Sequence, residues 1–324
     1  MTRGQALALT ESPTQLLNAT EWWWRHQDEA DLHAVILAPR AERTRLQLRS
    51  VIEELPDQIR VTWAEVRGPN RAIILPRVLR HLRRSDTLVI GDPFSGIIQF
   101  LVGQFPVHHD LVVVDDGTAT LRYMEVVASG GELVRWHQRN KPGAVRRTLA
   151  ARALSRLREA DVTLFTALQL DGSGIEPNDY AWVRETYPEP TILPGVDLLG
   201  TSLVETGVID EDKFLIGLAK LVRERDVRRY FPHRKESTAK LARIARLGVE
   251  VVHKALPIEI WARRDPVAGT LLTFPSTVVH TLPLVLTGSG VDIEIQQVPD
   301  AWYVAGTDES AKDFVRRSAE PGSA

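Results

Sequence analysis

Two adjacent carboxylates follow a short, wholly apolar run in the first half of the sequence. Asp115 and Asp116 come directly after residues 111–114, a run typical of a strand that is buried on both faces of a parallel sheet. The next residue, Gly117, permits a sharp backbone turn. Neighbouring carboxylates raise each other's pKa, which suits one of the pair to act as a general base. The alternative interpretation is a simple turn that caps the following helix.

A histidine follows a predicted strand in the second half. His233 stands between Pro232 and Arg234, directly after the predicted strand 227–231. A histidine beside an arginine suits the binding of an anionic phosphate, and an imidazole can also act as a general acid. A capping or surface histidine is the competing interpretation.

Two further polar segments complete this set. Glu259 could accept hydrogen bonds from a ribose diol, although a first-turn glutamate that complements a helix dipole is the preferred interpretation when this residue is taken alone. Ser276 and Thr277, at a predicted helix start, could bind an anion together with the free backbone N–H groups. An ordinary serine N-cap accounts for Ser276 but makes less use of Thr277. Each segment comes after a successive strand, so we expect them to converge with His233 on one sheet edge as a nucleotide site.

The elements that must position these residues follow an alternating pattern. Short apolar runs rich in β-branched residues alternate with amphipathic stretches, for example a strand at 59–66, a helix at 71–82 and a strand at 87–90. Repeated units of this kind predict an α/β fold with doubly wound parallel sheets and right-handed crossovers. Ligands of such sheets bind beyond the carboxyl ends of the strands.

The pattern occurs twice, which predicts two Rossmann-like domains facing a central cleft, the architecture called GT-B. The first domain, 1–190, would carry the acceptor and the catalytic base. The second, 191–324, would bind the nucleotide. Residues 171–194 are rich in Gly, Pro, Asn and Asp and are interpreted as loop and linker.

Composition excludes several classes of protein. The chain has 324 residues, of which 44% are hydrophobic, and a formal net charge of −2, so neither a disordered chain nor a nucleic-acid binder is indicated. There is no cysteine, which excludes disulfides and thiolate sites. The first eleven residues lack an apolar signal-peptide core, and no run is long enough to span a bilayer. We therefore expect a cytoplasmic protein.

The order and spacing of these segments resemble the bacterial sialyltransferases of GT-B type, including the lipooligosaccharide sialyltransferase and capsular polysialyltransferase families. Those families carry a D/E-D/E-G motif, then a histidine motif, then a Ser/Thr pair. Here the corresponding residues are Asp115-Asp116-Gly117, His233 and Ser276-Thr277. The segment 198–205 is similar to the strand and loop that open the family's nucleotide domain. The resemblance covers about residues 87–295.

The resemblance implies an inverting transfer of sialic acid or a related nonulosonate from a CMP-sugar to a glycan or other hydroxyl acceptor. Asp116 or Asp115 would deprotonate the acceptor, with preference for Asp116. His233 would stabilise the departing phosphate, flanked by Pro232 and Arg234. In the same comparison Ser276 and Thr277 would hold the phosphate, Glu259 would bind the ribose, and Gly200 and Thr201 would approach the nucleotide through their backbone. No metal or other cofactor is expected.

The sequence also departs from the family. The usual His-Pro order is reversed to Pro232-His233, and the chain is short. Two other hypotheses stay open: a GT-B transferase that uses CMP-Kdo, a UDP sugar or a GDP sugar, and a catalytically silent GT-B binding scaffold. An oligomer and a peripheral membrane contact are also left open.

Three remaining features are assigned structural roles. Residues 22–24, three consecutive tryptophans, are expected to pack in a core or between domains. The basic helix predicted at 145–159 is expected to present a solvated face, with an anionic acceptor or lipid headgroup as the alternative. His108 and His109 lack further ligands at useful spacing, so no metal site is predicted.

Overall fold

The computed structural model describes residues 3–105, 110–134, 143–170 and 172–318. The chain divides into two compact units, Met1–Trp182 and Val183–Ala324. Each unit is built on one parallel sheet, in the strand orders β3-β2-β1-β4-β5-β6-β7 and β10-β9-β8-β11-β12. The predicted α/β fold class is confirmed. Within the described ranges, no helix combines the length and apolarity needed to cross a bilayer.

The elements of the first unit alternate as predicted. The strands are β1 (Gly4–Thr10), β2 (Ala30–Leu37), β3 (Arg60–Ala64), β4 (Thr87–Ile90), β5 (Asp110–Val114), β6 (Val162–Thr166) and β7 (Ile175–Pro177). The helices are α1 (Pro13–His26), α2 (Glu42–Glu54), α3 (Arg71–Leu82), α4 (Gly96–Val102), α5 (Thr118–Ser129) and α6 (Ala144–Glu159). Helix α7 (Ala181–Thr186) runs across the division between the units.

The second unit repeats the alternation with a smaller sheet. Its strands are β8 (Ile192–Leu199), β9 (Val227–Phe231), β10 (Glu250–Val251), β11 (Val267–Thr273) and β12 (Asp292–Ile295). Its helices are α8 (Glu211–Arg225), α9 (Thr238–Ala245), α10 (Ile258–Arg264), α11 (Val278–Val285) and α12 (Glu309–Arg317), with a short 3-10 helix at Asp300–Trp302.

The sequence did not reveal strand β1, although it lies at the centre of the first sheet between β2 and β4. Its sequence, GQALALT, is short and contains two alanines, which have low strand propensity. Burial of apolar side chains stabilises the strand instead, since Leu7 and Leu9 are only 1% and 0% exposed. Tertiary packing therefore stabilises a strand that local composition does not predict.

The tryptophan run lies in α1 and belongs largely to the core. Ser12 caps this helix by accepting a hydrogen bond from the Gln15 N–H, and Pro13 occupies the first helical turn. Trp22 and Trp23 are buried, and the Trp23 indole N–H donates to the Ala30 carbonyl. The core interpretation of these two residues is confirmed.

The interpretation of 171–194 as loop and linker is wrong in part, since β7, all of α7 and the start of β8 fall inside it. Tyr180 is fully buried with a positive φ of 56°. Its hydroxyl donates to Asn18 Oδ1 at 3.0 Å, and its N–H donates to Asn178 Oδ1 at 3.0 Å. The turn-forming residues were recognised, but the side chains that anchor this segment to α1 leave no local pattern.

A buried amide joins this segment to the carboxylate pair. Asn18 Nδ2 donates to the Asp115 carbonyl at 2.9 Å, and Asn18 Oδ1 accepts from both Asn178 Nδ2 and the Tyr180 hydroxyl. One side chain therefore fixes the backbone after β5 and the backbone after β7. Removing it would leave several polar groups unpaired in the interior.

We expect Asn18→Ala to lower the free energy of unfolding by about 3 kcal/mol, because buried donors and acceptors lose their partner. Asn70→Ala is the matched control: Asn70 is exposed and makes no side-chain capping bond at the start of α3, so a change below about 0.5 kcal/mol is expected. Urea denaturation of both variants measures the difference. Equal stability of the two variants would contradict the anchoring role of Asn18.

Candidate functional site

The carboxylate pair lies at the carboxyl end of β5, as predicted. The backbone turns at Gly117, whose φ is 64°, a conformation that favours glycine. Helix α5 begins directly afterwards. The two acids point to different surroundings, which gives them different chemistry.

Asp115 is buried and its hydrogen bonds connect two strands. Only 7% exposed, it accepts hydrogen bonds from the Thr166 hydroxyl and the Ala167 N–H, both at 2.7 Å. Burial raises the pKa of Asp115 to about 6, although these hydrogen bonds oppose the rise. Because both carboxylate oxygens are occupied, Asp115 links the end of β5 to the end of β6.

Asp116 is partly exposed and less constrained. One carboxylate oxygen accepts from the Ser12 hydroxyl at 3.1 Å, and the Asp116 N–H donates to the Thr120 hydroxyl at 3.1 Å. The second oxygen makes no hydrogen bond to any described residue. A positioned carboxylate with a free oxygen can accept a proton, so the geometry favours Asp116 over Asp115 as a general base.

Ser12 contacts the candidate base Asp116 and was not singled out by the sequence analysis. It follows β1, and β1 adjoins β4 at the point where the strand order reverses. Ligands of doubly wound sheets bind at this switch point. The pattern in the sequence that could have located Ser12 is the Ser12-Pro13 pair followed by Gln15, which is typical of the start of a helix.

The second unit brings three predicted segments to one sheet edge. Leu199 at the end of β8 pairs with Phe231 of β9 on one side and with Thr273 of β11 on the other. The residues that continue these strands therefore lie beside one another: Gly200 and Thr201 after β8, Pro232, His233 and Arg234 after β9, and Ser276 and Thr277 after β11. The strand order reverses between β8 and β11, so this edge is also a switch point.

His233 is set up as a neutral hydrogen-bond donor. The Lys235 N–H donates to His233 Nδ1 at 3.1 Å, which assigns the ring proton to Nε2. Burial lowers the pKa of His233 to about 3, and the nearby positive charges of Arg234 and Lys235 add to this shift. At neutral pH the ring therefore offers an uncharged N–H to an incoming anion.

Ser276 and Thr277 lie at the start of α11, as predicted. Thr277 is the N-cap of α11, but its side chain makes no capping bond. Neither hydroxyl is hydrogen-bonded to a described residue, so both can turn toward a ligand. The first N–H groups of the eight-residue helix lie at the same place, where the helix dipole favours negative charge.

Glu259 lies in the first turn of α10 and is 5% exposed. One carboxylate oxygen accepts from the Thr281 hydroxyl at 2.9 Å, which connects α10 to α11 one turn after Thr277. Burial raises the pKa of Glu259. Ribose binding by this carboxylate stays a prediction.

Beneath the β8 loop lies a buried charge cluster that the sequence analysis did not identify. The Lys240 cluster consists of Lys240, Glu205, Glu236 and Tyr230. The fully buried Lys240 Nζ is 3.0 Å from Glu205, 3.4 Å from Glu236 and 3.4 Å from the Thr201 carbonyl. The Tyr230 hydroxyl donates to Glu236 at 2.8 Å. The cluster thus holds the backbone of the loop from below.

Only glycine fits where the loop passes over this cluster. A Cβ atom on Gly200 would lie 2.6 Å from Glu236 Oε1, 2.7 Å from the Tyr230 hydroxyl and 3.0 Å from the backbone nitrogen of His233. The close approach brings the loop against the His233 backbone. The feature of the sequence that indicates the Lys240 cluster is the four-residue spacing of Glu236 and Lys240, which is typical of an ion pair on a helix.

Glu236 is the member of the cluster whose carboxylate is incompletely hydrogen-bonded. It is 4% exposed, and its Oε2 has no hydrogen-bond partner among the described residues. Burial raises its pKa to about 7, against the attraction of Lys240. Ionising this carboxylate in the folded protein is therefore costly.

The described part of the chain contains no candidate metal site. No group of three His, Cys, Asp or Glu side chains there is arranged to hold an ion. His108 and His109, considered above as a histidine pair, lie outside the described residues.

No protein-family model and no curated protein matches this sequence. Solved structures do match over almost the whole chain. A protein assigned as UDP-N-acetylglucosamine 2-epimerase from Listeria monocytogenes is 14% identical with a TM-score of 0.55, and covers 100% of this chain and 91% of its own. A UDP-glucosyltransferase from Polygonum tinctorium is 12% identical with a TM-score of 0.49, covering 99% and 91%. MurG from Acinetobacter baumannii is 12% identical with a TM-score of 0.39, covering 99% and 97%.

At these identities the similarity establishes the fold alone. The strand orders described above and the epimerase match agree on a GT-B architecture of two Rossmann-like units. The name of the epimerase refers neither to a sialyltransferase nor to CMP, so this match supports the GT-B fold and adds no support for the narrower sialyltransferase resemblance.

We expect Glu236→Gln to change how stability depends on pH. The folded-state pKa of Glu236 is raised above its unfolded value, so the wild type binds the proton more tightly when folded and loses stability as pH rises from about 4.5 to about 7. The variant lacks this loss. Its stability relative to wild type should rise by about 3 kcal/mol between pH 4 and pH 8, measured by urea denaturation.

Glu224→Gln is the control for this experiment, since Glu224 is an exposed side chain in a surface ion pair with Lys220. Its stability relative to wild type should be nearly the same at both pH values. A Glu236→Gln difference that is also independent of pH would show that Glu236 is ionised without penalty.

Proposed function

We propose that this protein is an inverting glycosyltransferase that uses a nucleotide-sugar donor. The observation that carries the proposal is the edge formed by β9, β8 and β11, where the loops after three adjacent strands contribute an uncharged His233 N–H, two unbonded hydroxyls and a helix N-terminus. These groups suit the phosphate of a nucleotide. Asp116 in the first unit supplies a carboxylate suited to deprotonate an acceptor.

The proposed reaction places charge where these donors can stabilise it. The acceptor oxygen attacks the anomeric carbon, the bond from that carbon to the phosphate oxygen breaks, and the leaving phosphate keeps the electron pair. His233, Ser276 and Thr277 would donate hydrogen bonds to that phosphate as its negative charge grows. Because the neutral ring carries only its Nε2 proton, His233 would act as a hydrogen-bond donor to the leaving phosphate and would not protonate it.

Asp116 would take the proton of the acceptor hydroxyl through its unbonded oxygen. The Ser12 hydroxyl, 3.1 Å from the other oxygen, would orient the carboxylate. Asp115, whose two oxygens are already hydrogen-bonded, would support the loop without reacting. The proposal requires no metal ion.

A UDP sugar is the first candidate donor, since the neighbour with the highest of the three TM-scores carries a UDP sugar in its name. A CMP-activated nonulosonate is the second candidate. It is favoured by the order of Asp115-Asp116-Gly117, His233 and Ser276-Thr277 along the sequence. Both donors present a phosphate and a ribose to the second unit, so only selective binding of the base separates them.

Calorimetric titration of the purified chain with UDP, UMP, CMP and GDP, in the presence of EDTA, tests donor binding. We expect one pyrimidine nucleotide to bind selectively. We expect His233→Ala to weaken it roughly ten-fold or more, as for the loss of a hydrogen bond to a charged group. His233→Gln is the matched variant: its amide also donates a neutral N–H, so it should retain more affinity than the alanine variant.

Each outcome of this titration is informative. Equal loss in the glutamine and alanine variants would contradict the neutral-donor role of His233. Binding only when EDTA is replaced by a divalent cation would contradict the metal-free proposal. No binding of any nucleotide would contradict a transferase and favour a silent scaffold.

Asp116→Asn tests the proposed base. With UDP-glucose, UDP-N-acetylglucosamine and CMP-sialic acid as donors and a glycan mixture as acceptor, we expect nucleotide release to fall at least about a hundred-fold while nucleotide affinity is unchanged. Asp57→Asn, at an exposed position, is the control and should keep wild-type turnover. Retained turnover in Asp116→Asn would exclude Asp116 as the base.

A further inference from the structure

One layer of helices in the first unit presents a basic surface that the proposed reaction does not use. Helices α3, α4, α5 and α6 pack on the same face of the sheet, because Val78, Ile98, Tyr123 and Leu154 belong to one core cluster. The opposite sides of α3 and α6 face away from the sheet.

The outward side of α3 is rich in arginine. The segment from Arg71 to Arg84 contains no acidic residue. Its exposed positions include five arginines, none of which forms an ion pair with a described residue: Arg71, Arg77, Arg80, Arg83 and Arg84. A solvated helix face of a protein near neutral net charge ordinarily mixes both signs, so this run concentrates positive charge.

Helix α6, in the same helix layer, also carries arginines that are unpaired among the described residues. Arg147, Arg152 and Arg158 are exposed and have no ion-pair partner among the described residues. Arg146, by contrast, turns inward and donates to the Phe94 carbonyl. The exposed arginines of α3 and α6 together are called the arginine layer below.

Apolar side chains stand among these charges. Ile73 on α3 is 60% exposed, and Val145 on α6 is 77% exposed. Arginine with interspersed large apolar groups is the composition of a surface that lies on a bilayer interface. A soluble polyanion would attract the arginines equally but would give the apolar groups no favourable environment.

We propose that the arginine layer docks the protein on a membrane surface that contains anionic lipid. The arginines contact the headgroups, while Ile73 and Val145 enter the headgroup boundary. The charge lies on one helix layer of a chain with net charge −2, so docking also fixes which face of the first unit meets the membrane.

The magnitude expected for each arginine is substantial. A basic side chain near an anionic membrane changes the partition coefficient about five-fold. Three substitutions should therefore reduce binding roughly a hundred-fold. The interaction should also weaken steeply as salt shortens the Debye length from about 30 Å at 0.01 M to about 8 Å at 0.15 M.

The test is co-sedimentation of the full chain with vesicles of phosphatidylcholine alone or mixed with phosphatidylglycerol. Wild type should bind only the mixed vesicles, and the variant R77A/R80A/R84A should lose most of that binding. The control R40A/R223A/R246A removes the same charge from exposed positions outside the layer and should bind like wild type. Circular dichroism checks that both variants are folded.

Ile73→Ser separates a membrane from a soluble polyanion. The variant should bind mixed vesicles several-fold more weakly, yet bind heparin as wild type does. Absence of wild-type binding to mixed vesicles would overturn the proposal, as would an equal loss in the control triple variant. Heparin binding without vesicle binding would assign the surface to a soluble polyanion instead.

Discussion

Strands that run parallel end at the same edge of their sheet, and the chemistry proposed here depends on that constraint. In the second unit Leu199 pairs with Phe231 and Thr273, so three loops distant in sequence begin side by side. Each loop can then contribute one or two polar groups to a shared site. In the first unit the same constraint brings the residues after β5 and β6 together, where Asp115 joins them.

Buried charged side chains hold the loop after β8 in place. Lys240 holds the Thr201 carbonyl and two carboxylates without contact with water. Removing one partner of such a group leaves an uncompensated charge in a medium of low dielectric, which costs more than the intact network contributes. The loops are thereby held in one arrangement, in which His233 Nε2 and one oxygen of the partly exposed Asp116 make no hydrogen bond to a described residue.

The sequence predicted what local patterns can encode. Short runs typical of strands that end in polar residues located β5 and β9 and the groups that follow them, because a strand and its terminus share a few consecutive residues. Strand β1 was missed because its position between two strands, and not its composition, stabilises it. The Lys240 cluster was missed because its members are separated in sequence and meet only in the folded unit.

A structure of the protein with a bound pyrimidine nucleotide tests the central claim most directly. The account predicts that the phosphate lies at the edge of β9, β8 and β11, within hydrogen-bonding distance of His233 Nε2 and of a hydroxyl of Ser276 or Thr277. A nucleotide bound beyond β1 and β4 of the first unit, with that edge empty, would contradict it.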